Sequence, residues 1–322
     1  MVWRCLMLKI KEYVRVKKDD SHIYIYHRKG VKIQRDEKSI SIITCLISGC
    51  SETDLYASYG ELARDIVKLL KSYDFLRDGE IAAENPLEDR FFYYLEQYSQ
   101  TPQELYKQLN QAYVCIVGVG GIGGNILQIL ATSGVKRYLL IDYDKVEYSN
   151  LNRQFFYTVE DVGKDKVSTC KDKLMKIDSR ISCKTYEARV TNKEQLLNLI
   201  QEENIDVLVA AADYPLGIRD VLRDVAIAKE CAFVSGGVDI DYGKYKFETP
   251  EQVTTKIRRG SFLEDLCSMN TQVTRGSFGA TNAIISSFMA FDIVNYLLDK
   301  DTLSNGKTVA WDFKEMKFLE ID

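Results

Sequence analysis

Short apolar runs alternate with longer segments of helical spacing in the second half of the chain. Short apolar runs bounded by turn residues are typical of buried strands, whereas apolar residues three or four positions apart are typical of helices. The predicted strands are 113–118, 138–142, 183–188, 206–211 and 231–235. The predicted helices lie near 124–133, 164–177, 193–202, 217–229 and 280–298. This alternation predicts an α/β fold built on a doubly wound, mainly parallel sheet.

The first 80 residues follow a different pattern. Apolar and polar residues alternate along "YVRVKKDDSHIYIYHRKGVKIQRD", which predicts three short strands with turns at "KKDD" and "RKG". Helical spacing follows in "SISIITCLISG", "TDLYASY" and "GELARDIVKLLKSYDFL". Three strands followed by about three short helices predict a small, winged-helix-like α+β domain.

Three regions follow from these patterns. We predict a winged-helix-like domain over residues 1–80, a polar and aromatic linker that becomes helical over 81–111, and the α/β domain over 112–322. A chain of 322 residues is long enough for two domains and a substantial core.

Composition narrows the function classes. The formal net charge of −4 gives no basic excess, which argues against nucleic acid or an anionic membrane as partner. Neither a bilayer-spanning apolar run nor a signal peptide is recognisable, so we expect a cytoplasmic protein. The eight cysteines form no CxxC pair, which predicts no structural zinc, and reduced thiols are expected because the protein is predicted to be cytosolic. Two histidines are few for metal-hydrolase or Ser-His chemistry.

A glycine-rich turn joins the first predicted strand of the α/β domain to its helix, in "VCIVGVGGIGGNILQIL". Glycines permit close backbone approach to a phosphate, and the helix N-terminus adds unpaired N–H groups and a positive dipole end. Asp142 ends the next strand, where a carboxylate can accept hydrogen bonds from ribose. The alternative is a turn that only lets helix and strand pack. The glycines predicted to bind a nucleotide are Gly118, Gly120, Gly121 and Gly123.

Segments further along favour nucleotidyl transfer over hydride transfer. In "KVEYSNLNRQFFYTVEDVGKDKV", Arg153 and Lys166 supply positive charge suited to a polyphosphate. Asp213 follows the apolar strand "DVLVAAA", where a carboxylate oxygen is suited to Mg²⁺. Nucleotidyl transfer requires neutralised phosphates and a metal, with little proton chemistry. An NAD oxidoreductase is therefore a weaker interpretation of the glycine turn.

The motifs "GVGGIG", "LLIDYD", "SNLNRQ", "GKDKV" and "AAAD" together resemble the ubiquitin-activating-enzyme-like adenylating family that includes ThiF, MoeB and HesA. The resemblance covers roughly residues 86–320. It implies that Mg-ATP activates a peptide carboxylate as an acyl adenylate and that pyrophosphate is released. It also implies that adenine is the base.

The resemblance assigns a role to each motif residue. Asp142 is similar to the ribose-binding aspartate, with Asp144 close by, and Asp213 to the Mg²⁺-linked aspartate. The residues similar to the family's phosphate-contacting set are Asn150, Arg153, Gln154 and Lys166. Arg90 resembles an arginine that reaches the ATP of the neighbouring subunit, which implies a homodimer. The alternative for Arg90 is a solvated arginine on an amphipathic helix.

Two departures from the family pattern concern the site. Tyr214 follows Asp213 where relatives often carry Asn, and the paired CxxC zinc motifs of many relatives are absent. Cys267 is the best-placed candidate for a thioester nucleophile, because it follows a predicted mobile stretch. An unremarkable, partly exposed thiol is the simpler interpretation, since nothing nearby lowers its pKa.

The front domain resembles the peptide-clamp domain of enzymes that modify ribosomally made peptides. In such domains a leader peptide adds a strand beside the third strand, here "GVKIQRD", and lies against the last helix. The predicted groove residues are Ile33, Ile66 and Leu69, and the cations predicted to attract an acidic leader are Lys32, Arg35 and Lys68. A domain that only supports dimerisation, or a DNA-binding winged helix, is the alternative.

The combination of clamp and adenylating domain resembles the peptide-modifying branch that includes microcin C synthase (MccB) and the pantocin-type PaaA. It implies ATP-dependent modification of a precursor peptide, by phosphoramidate formation or by dehydrative cyclisation of Glu. A sulfur-carrier adenylating enzyme and a non-catalytic leader-binding partner remain alternatives. The stretch 240–277 is predicted to be a flexible cover over the substrate. Its candidate cations are Lys244, Lys246, Arg258, Arg259 and Arg275.

Overall fold

The computed structural model describes residues 7–79, 85–255 and 276–321. Within it the chain divides into two compact units, Met1–Tyr106 and Lys107–Asp322. Cys267 and the three arginines of the predicted cover lie outside the described residues. In the described part of the chain, no helix is both long and apolar enough to cross a membrane.

The first unit begins with strands and ends with helices. Its elements are β1 (Met7–Ile10), β2 (Arg15–Lys18), β3 (His22–Tyr26), β4 (Gly30–Gln34), α1 (Glu37–Ser48), β5 (Cys50–Ser51), α2 (Glu52–Ser72), β6 (Leu76–Asp78), α3 (Asp89–Leu95) and the start of α4 (Pro102–Gln111). Strands β2, β3 and β4 form an antiparallel sheet with β4 at one edge, and β5, β1 and β6 form a second. The first sheet corresponds to the three predicted strands.

Alternation along β4 sets its orientation. Val31 and Ile33 are buried, whereas Lys32 and Gln34 are exposed, because successive side chains of a strand point to opposite faces. Asp36 caps the N-terminus of helix α1, and its Oδ1 accepts a hydrogen bond from Ser39 N (2.7 Å). The two helical segments predicted after α1 are both in α2, which is kinked at Gly60.

Buried charges fix α3 within the first unit. Glu96 follows the helix and is 1% exposed, and its Oε1 lies 3.1 Å from Arg77 Nη1 in β6. Arg77 also pairs with Glu12, while the fully buried Lys11 reaches Asp74 (2.8 Å). Removing one partner of such a pair leaves an uncompensated buried charge, so the network ties α3 firmly to the strands beside it.

The second unit contains the predicted α/β fold. Its strands are β7 (Tyr113–Val117), β8 (Arg137–Ile141), β9 (Ser182–Tyr186), β10 (Val207–Ala210), β11 (Ala232–Val238), β12 (Tyr242–Glu248), β13 (Thr308–Asp312) and β14 (Lys317–Ile321). Its further helices are α5 (Gly121–Thr132), α6 (Lys166–Ile177), α7 (Lys193–Leu199), α8 (Ile218–Lys229), α9 (Pro250–Thr255) and α10 (Gly279–Leu297).

One eight-stranded sheet contains all these strands, in the order β14-β13-β12-β11-β10-β7-β8-β9. The five strands from β11 to β9 are parallel, and β12, β13 and β14 continue the sheet in antiparallel pairing. Every residue of β7 and β10 is buried, as expected for central parallel strands covered on both faces. The predicted doubly wound, mainly parallel α/β fold is confirmed.

The prediction of a flexible cover from 240 to 277 is wrong over its first part. Strand β12 pairs with β11 and β13, and α9 follows it. Lys244 and Lys246 are therefore strand residues, and Lys246 pairs with Glu248 at 2.8 Å. The physical reason is that Gly243, Tyr245 and Phe247 alternate with these lysines and face the core.

The six cysteines in the described residues are free thiols. Burial raises the pKa of Cys170, Cys183 and Cys231 to about 12 and that of Cys115 still further. Because the thiolate is the nucleophile, these four residues are inert packing groups in the folded protein.

Candidate nucleotide-binding site

The glycine turn between β7 and α5 has no room for a side chain at Gly118 or at Gly123. Gly118 has φ +89°, and a Cβ built there would lie 2.7 Å from the backbone of Ala211. A Cβ at Gly123 would lie 1.9 Å from the carbonyl oxygen of Gly118. The first turn of α5 closes with a hydrogen bond from Gly124 N to Gly120 O (2.9 Å), so the amides before it are not used within the helix. The turn therefore presents free N–H groups at a positive helix end.

Asp142 joins the turn to the end of β8. It is 8% exposed, and its Oδ2 accepts a hydrogen bond from Val119 N (2.8 Å). Its Oδ1 accepts one from Asp144 N (2.9 Å). Burial raises the pKa of this carboxyl, although the two amides and the charge of Lys166 oppose the rise. Each oxygen retains a further lone pair that can accept a hydrogen bond from a hydroxyl group.

Lys166 is a buried cation at the start of α6. Its side chain is 6% exposed, and its Nζ lies 2.9 Å from Asp144 Oδ2. The backbone N–H of Lys166 also donates to the carbonyl of Asp144 (3.0 Å). A buried charge must be paired, and Asp144 provides that pairing at the edge of the sheet where the glycine turn lies.

The "SNLNRQ" segment turns back towards the glycine turn. Asn150 is buried, and its Oδ1 accepts a hydrogen bond from Glu147 N (3.0 Å), which caps the short 3₁₀ turn. Arg153 is half-buried, and its Nη1 donates to Ser149 O and to Asn152 Oδ1, each at 2.9 Å. These bonds fix the loop and leave other guanidinium N–H groups to meet an anion.

Gln154 brings a buried polar side chain against the glycine turn. It is 5% exposed, and its Oε1 has no hydrogen-bond partner among the described residues. Its Nε2 lies 3.5 Å from the position that a Cβ would take at Gly120. An unpaired buried acceptor is costly, and Oε1 can accept a hydrogen bond from a donor that enters the space beside the glycine turn.

Asn282 is a site residue that sequence reasoning missed. It lies near the start of α10 and is 4% exposed. Its Oδ1 would be 2.6 Å from a Cβ at Gly121, while its Nδ2 donates to Ser277 Oγ and to Phe278 O, each at 2.9 Å. The available signal was a polar amide near the start of an otherwise apolar helix, "GATNAIISSFM".

Asp213 lies at the same edge of the sheet but remains exposed. Its side chain is 88% accessible, and Oδ1 lies 3.0 Å from Nη2 of Arg219. No group of three or more metal-binding side chains occurs among the described residues. A single carboxylate nevertheless fits Mg²⁺, which takes one or two protein carboxylates and receives its other oxygens from phosphates and water.

The remaining predicted residues belong to the first unit. Arg90 is exposed on α3. Arg35 donates through Nη1 to Asp19 O (2.6 Å), and Leu69 on α2 is 36% exposed. Ile33 and Ile66 are 8% and 4% exposed and pack in the core of the unit. In this conformation, Leu69 is therefore the exposed apolar residue of the three predicted to line a groove.

Comparison with known proteins decides the family. The sequence model of the ThiF family matches residues 94–322, which is more than half of the chain. The chain belongs to the ThiF family. Its relatives are named adenylyltransferases, and this ThiF-family chain is an enzyme of that class.

Two relatives show the range of sequence similarity. The sulfur carrier protein adenylyltransferase of Thermus thermophilus is 28% identical over 69% of this chain and 82% of its own length. The molybdopterin-synthase adenylyltransferase of Escherichia coli is 30% identical over 66% of this chain and 85% of its own length. Against the adenylyltransferase and sulfurtransferase MOCS3 of Anopheles gambiae, this ThiF-family chain spans about half, 48%, of the relative.

Solved structures extend the fold match to the first unit. E. coli MccB with ATP superposes with a TM-score of 0.82 at 23% identity, covering 98% of this chain and 97% of MccB. PaaA superposes with a TM-score of 0.70 at 20% identity, covering 84% of this chain and 95% of PaaA. At these identities the likeness establishes the fold.

Proposed function

We propose that this adenylyltransferase uses ATP to activate a carboxylate of a ribosomally made precursor peptide. The observation that carries the proposal is the first unit, in which β4 is an edge strand among the described residues, in a chain that also contains an adenylation fold. The MccB fold match covers this unit as well, and MccB has been solved with AMPCPP and MccA. If the first unit binds the peptide, the adenylating unit in the same chain can activate the carboxylate of that peptide.

The reaction requires few catalytic groups. A carboxylate oxygen of the peptide attacks the α-phosphorus of ATP, the bond to the bridging oxygen breaks, and pyrophosphate leaves with the electron pair. The carboxylate is already ionised at neutral pH, so no general base is needed. The amides of the glycine turn, Arg153 and Lys166 stabilise the charge on the phosphates, and Asp142 holds the ribose. Mg²⁺, held by Asp213, would supply further charge neutralisation.

Peptide recognition is assigned to the exposed side of β4. A strand edge pairs with an extended peptide through backbone hydrogen bonds, and alternate side chains set the register. Lys32 is exposed on this strand, and Lys68 and Leu69 are exposed on α2. These residues fit an acidic leader with at least one apolar side chain.

We assign homodimerisation to the outer face of α10. Ala280, Ile284, Ser287 and Phe291 are exposed at helical spacing along one side of this helix. The exposed Phe318 of β14 packs edge-on against Phe288 of the same helix, which extends the apolar surface. Contiguous exposed apolar surface of this kind is typical of protein interfaces.

Pyrophosphate exchange tests the proposal. Labelled pyrophosphate is incubated with ATP, Mg²⁺, the full-length protein and a precursor peptide encoded beside its gene. We expect label in ATP only when the peptide is present. Asp213→Ala should abolish exchange, whereas Glu202→Ala, which removes an exposed carboxylate from the segment before β10, should leave it unchanged.

The named relatives support one competing substrate, the C-terminus of a ubiquitin-like sulfur carrier. The same assay decides between them when the peptide is replaced by such a carrier ending in Gly-Gly. Exchange with the carrier but not with the peptide would refute the proposal. Peptide binding without any exchange would instead indicate a leader-binding partner of a separate modifying enzyme.

A further inference from the structure

A buried tyrosine hydroxyl contacts the backbone of the glycine turn. Tyr157 is 5% exposed, and its Oη donates a hydrogen bond to the carbonyl oxygen of Val119 (2.7 Å). The backbone N–H of Tyr157 donates to Gln154 O (3.1 Å). Tyr157 therefore joins the loop that carries Gln154 to the turn that carries Val119.

A second neighbour fixes the direction of this hydrogen bond. Cys170 Sγ in α6 lies 3.2 Å from Tyr157 Oη. A carbonyl oxygen can only accept, so the single hydroxyl proton goes to Val119 O and the thiol donates its own proton to Oη. Burial raises the pKa of Cys170 to about 12 and that of Tyr157 well above its ordinary value, so both protons stay in place at neutral pH.

Holding one carbonyl also orients the N–H group of the next residue. The peptide bond between Val119 and Gly120 is planar and trans, so the Gly120 N–H points opposite to the Val119 carbonyl and away from Tyr157. Asp142 holds the N–H of Val119 (2.8 Å), so side chains fix Val119 on both sides. In the described part of the chain, no acceptor lies at hydrogen-bond distance from Gly120 N.

We propose that Tyr157 is a positioning residue, which acts through Val119 to direct the Gly120 N–H at the phosphates of the nucleotide. A donor that is oriented in advance needs no reorganisation when an anion binds, so it stabilises the charge more effectively. The hydroxyl of Tyr157 therefore serves the phosphates, whereas Asp142 is assigned to the ribose. This inference rests on the nucleotide site of the proposed function and not on the peptide substrate.

Equilibrium titration of the full-length protein with three ligands tests the inference. Inorganic tripolyphosphate carries only phosphates, adenosine carries none, and ATP combines the two. Tyr157→Phe keeps the ring and removes the hydroxyl. We expect its affinity for tripolyphosphate and for ATP to fall about tenfold, as for loss of one well-directed hydrogen bond to a charged group, and its affinity for adenosine to stay unchanged.

Tyr138→Phe is the matched control. Tyr138 is fully buried near the start of β8, and its Oη also donates to a backbone carbonyl, that of Val135 (3.0 Å). Both variants therefore lose one buried hydrogen bond and should lose similar stability in urea denaturation. Tyr138→Phe should nevertheless bind all three ligands as the wild type does.

Amide resonances provide a second readout, which a loss of stability alone would not change. The sequence contains three Val-Gly pairs, and labelling with carbonyl-¹³C valine and ¹⁵N glycine selects the amides of Gly118, Gly120 and Gly163. Gly118 N and Gly163 N already donate to backbone carbonyls, each at 2.8 Å. Tripolyphosphate should therefore move only the Gly120 resonance strongly downfield, and should move it less in Tyr157→Phe.

Four results would each overturn the inference: unchanged tripolyphosphate affinity in Tyr157→Phe, an equal loss for adenosine, the same losses in Tyr138→Phe, or three unmoved resonances. If the wild-type protein bound no nucleotide, the site on which the proposed function also depends would be refuted. A wild-type protein that bound ATP without adenylating a peptide would refute the peptide proposal alone.

Discussion

Two carboxylates only two positions apart have different tasks at the end of β8. Asp142 accepts hydrogen bonds from two backbone N–H groups and holds the glycine turn against the strand, whereas Asp144 neutralises the charge of Lys166. In the proposed reaction, Lys166 would exchange part of its attraction to Asp144 for attraction to the phosphates of the nucleotide. The buried cation is thus positioned before substrate binds, which lowers the reorganisation needed during reaction.

Replacing Asp142 with Asn should weaken both the fold and the site. An amide nitrogen cannot accept the bond from Val119 N or from Asp144 N, so one buried N–H loses its partner. We expect the free energy of unfolding to fall by about 1–3 kcal/mol, measured by urea denaturation, and ATP affinity to fall with it. Asp172→Asn, on the exposed side of α6, is the control. Equal stability of the two variants would contradict the role given to Asp142.

Asp161 gives the stability a defined pH dependence. Burial alone would raise its pKa, but hydrogen bonds from Lys173 and Thr158 outweigh burial and lower it from an ordinary 3.8 to about 2. A carboxyl group whose pKa is lowered in the folded state stabilises the fold fully at any pH above its pKa in the unfolded chain. For Asp161 this stabilisation is lost as the pH falls from about 4 to about 2.

Asp161→Asn should therefore lower the free energy of unfolding by about 2 kcal/mol at pH 7 and by much less near pH 2. Urea denaturation at a series of pH values measures both limits. A penalty that stayed constant over the series would mean that the Asp161 charge does not stabilise the fold.

At the scale of elements, the site depends on how closely β7 and α5 approach each other. Gly123 faces the carbonyl of Gly118, while its neighbour Gly124 has more space, since a Cβ there would lie 3.3 Å from Val119 O. This difference between adjacent glycines makes them a matched pair.

Gly123→Ala should displace the turn, cost about 1–3 kcal/mol of unfolding free energy and abolish ATP binding. Gly124→Ala should retain ATP binding with a smaller loss of stability. Thermal denaturation and ATP titration of both variants provide the comparison. If both bound ATP equally well, the close approach of Gly123 would not be what shapes the turn.

Periodicity predicted the elements around the nucleotide site within a few residues. It failed for β12, although Gly243, Tyr245 and Phe247 alternate with polar residues there, because the lysines and the flanking charges were interpreted as a solvated loop. The contact between Asn282 and Gly121 could not be predicted at all. It joins residues far apart in the chain, and only the packing of α10 on α5 brings them together.

At the scale of the whole molecule, the proposed dimer makes a test of Arg90 possible. If Arg90 acts on the partner's ATP, one site needs Arg90 from one subunit and Asp213 from the other. Arg90→Ala and Asp213→Ala homodimers should then each be inactive in pyrophosphate exchange. After subunit exchange, a mixed dimer holds one intact site, so an equal mixture should recover up to about a quarter of wild-type activity.

No recovery after verified subunit exchange would mean that Arg90 does not act across an interface.

The interface itself is tested by Phe291→Asp, which places a charge on the exposed face of α10. Sedimentation should show monomers for this variant, whereas Glu202→Ala should sediment as the wild type does.

Helix α10 also determines when the site is complete during synthesis. Its Asn282 reaches Gly121, and its Ser286 donates to the carbonyl of Ile122 (3.2 Å), so the start of α5 rests on a segment translated some 160 residues later. Strands β7 to β10 can leave the ribosome and pair well before that helix exists. A nascent chain therefore has the parallel strands β7 to β10 before it has its complete nucleotide site, and ATP can stabilise only those molecules whose C-terminal part has folded back.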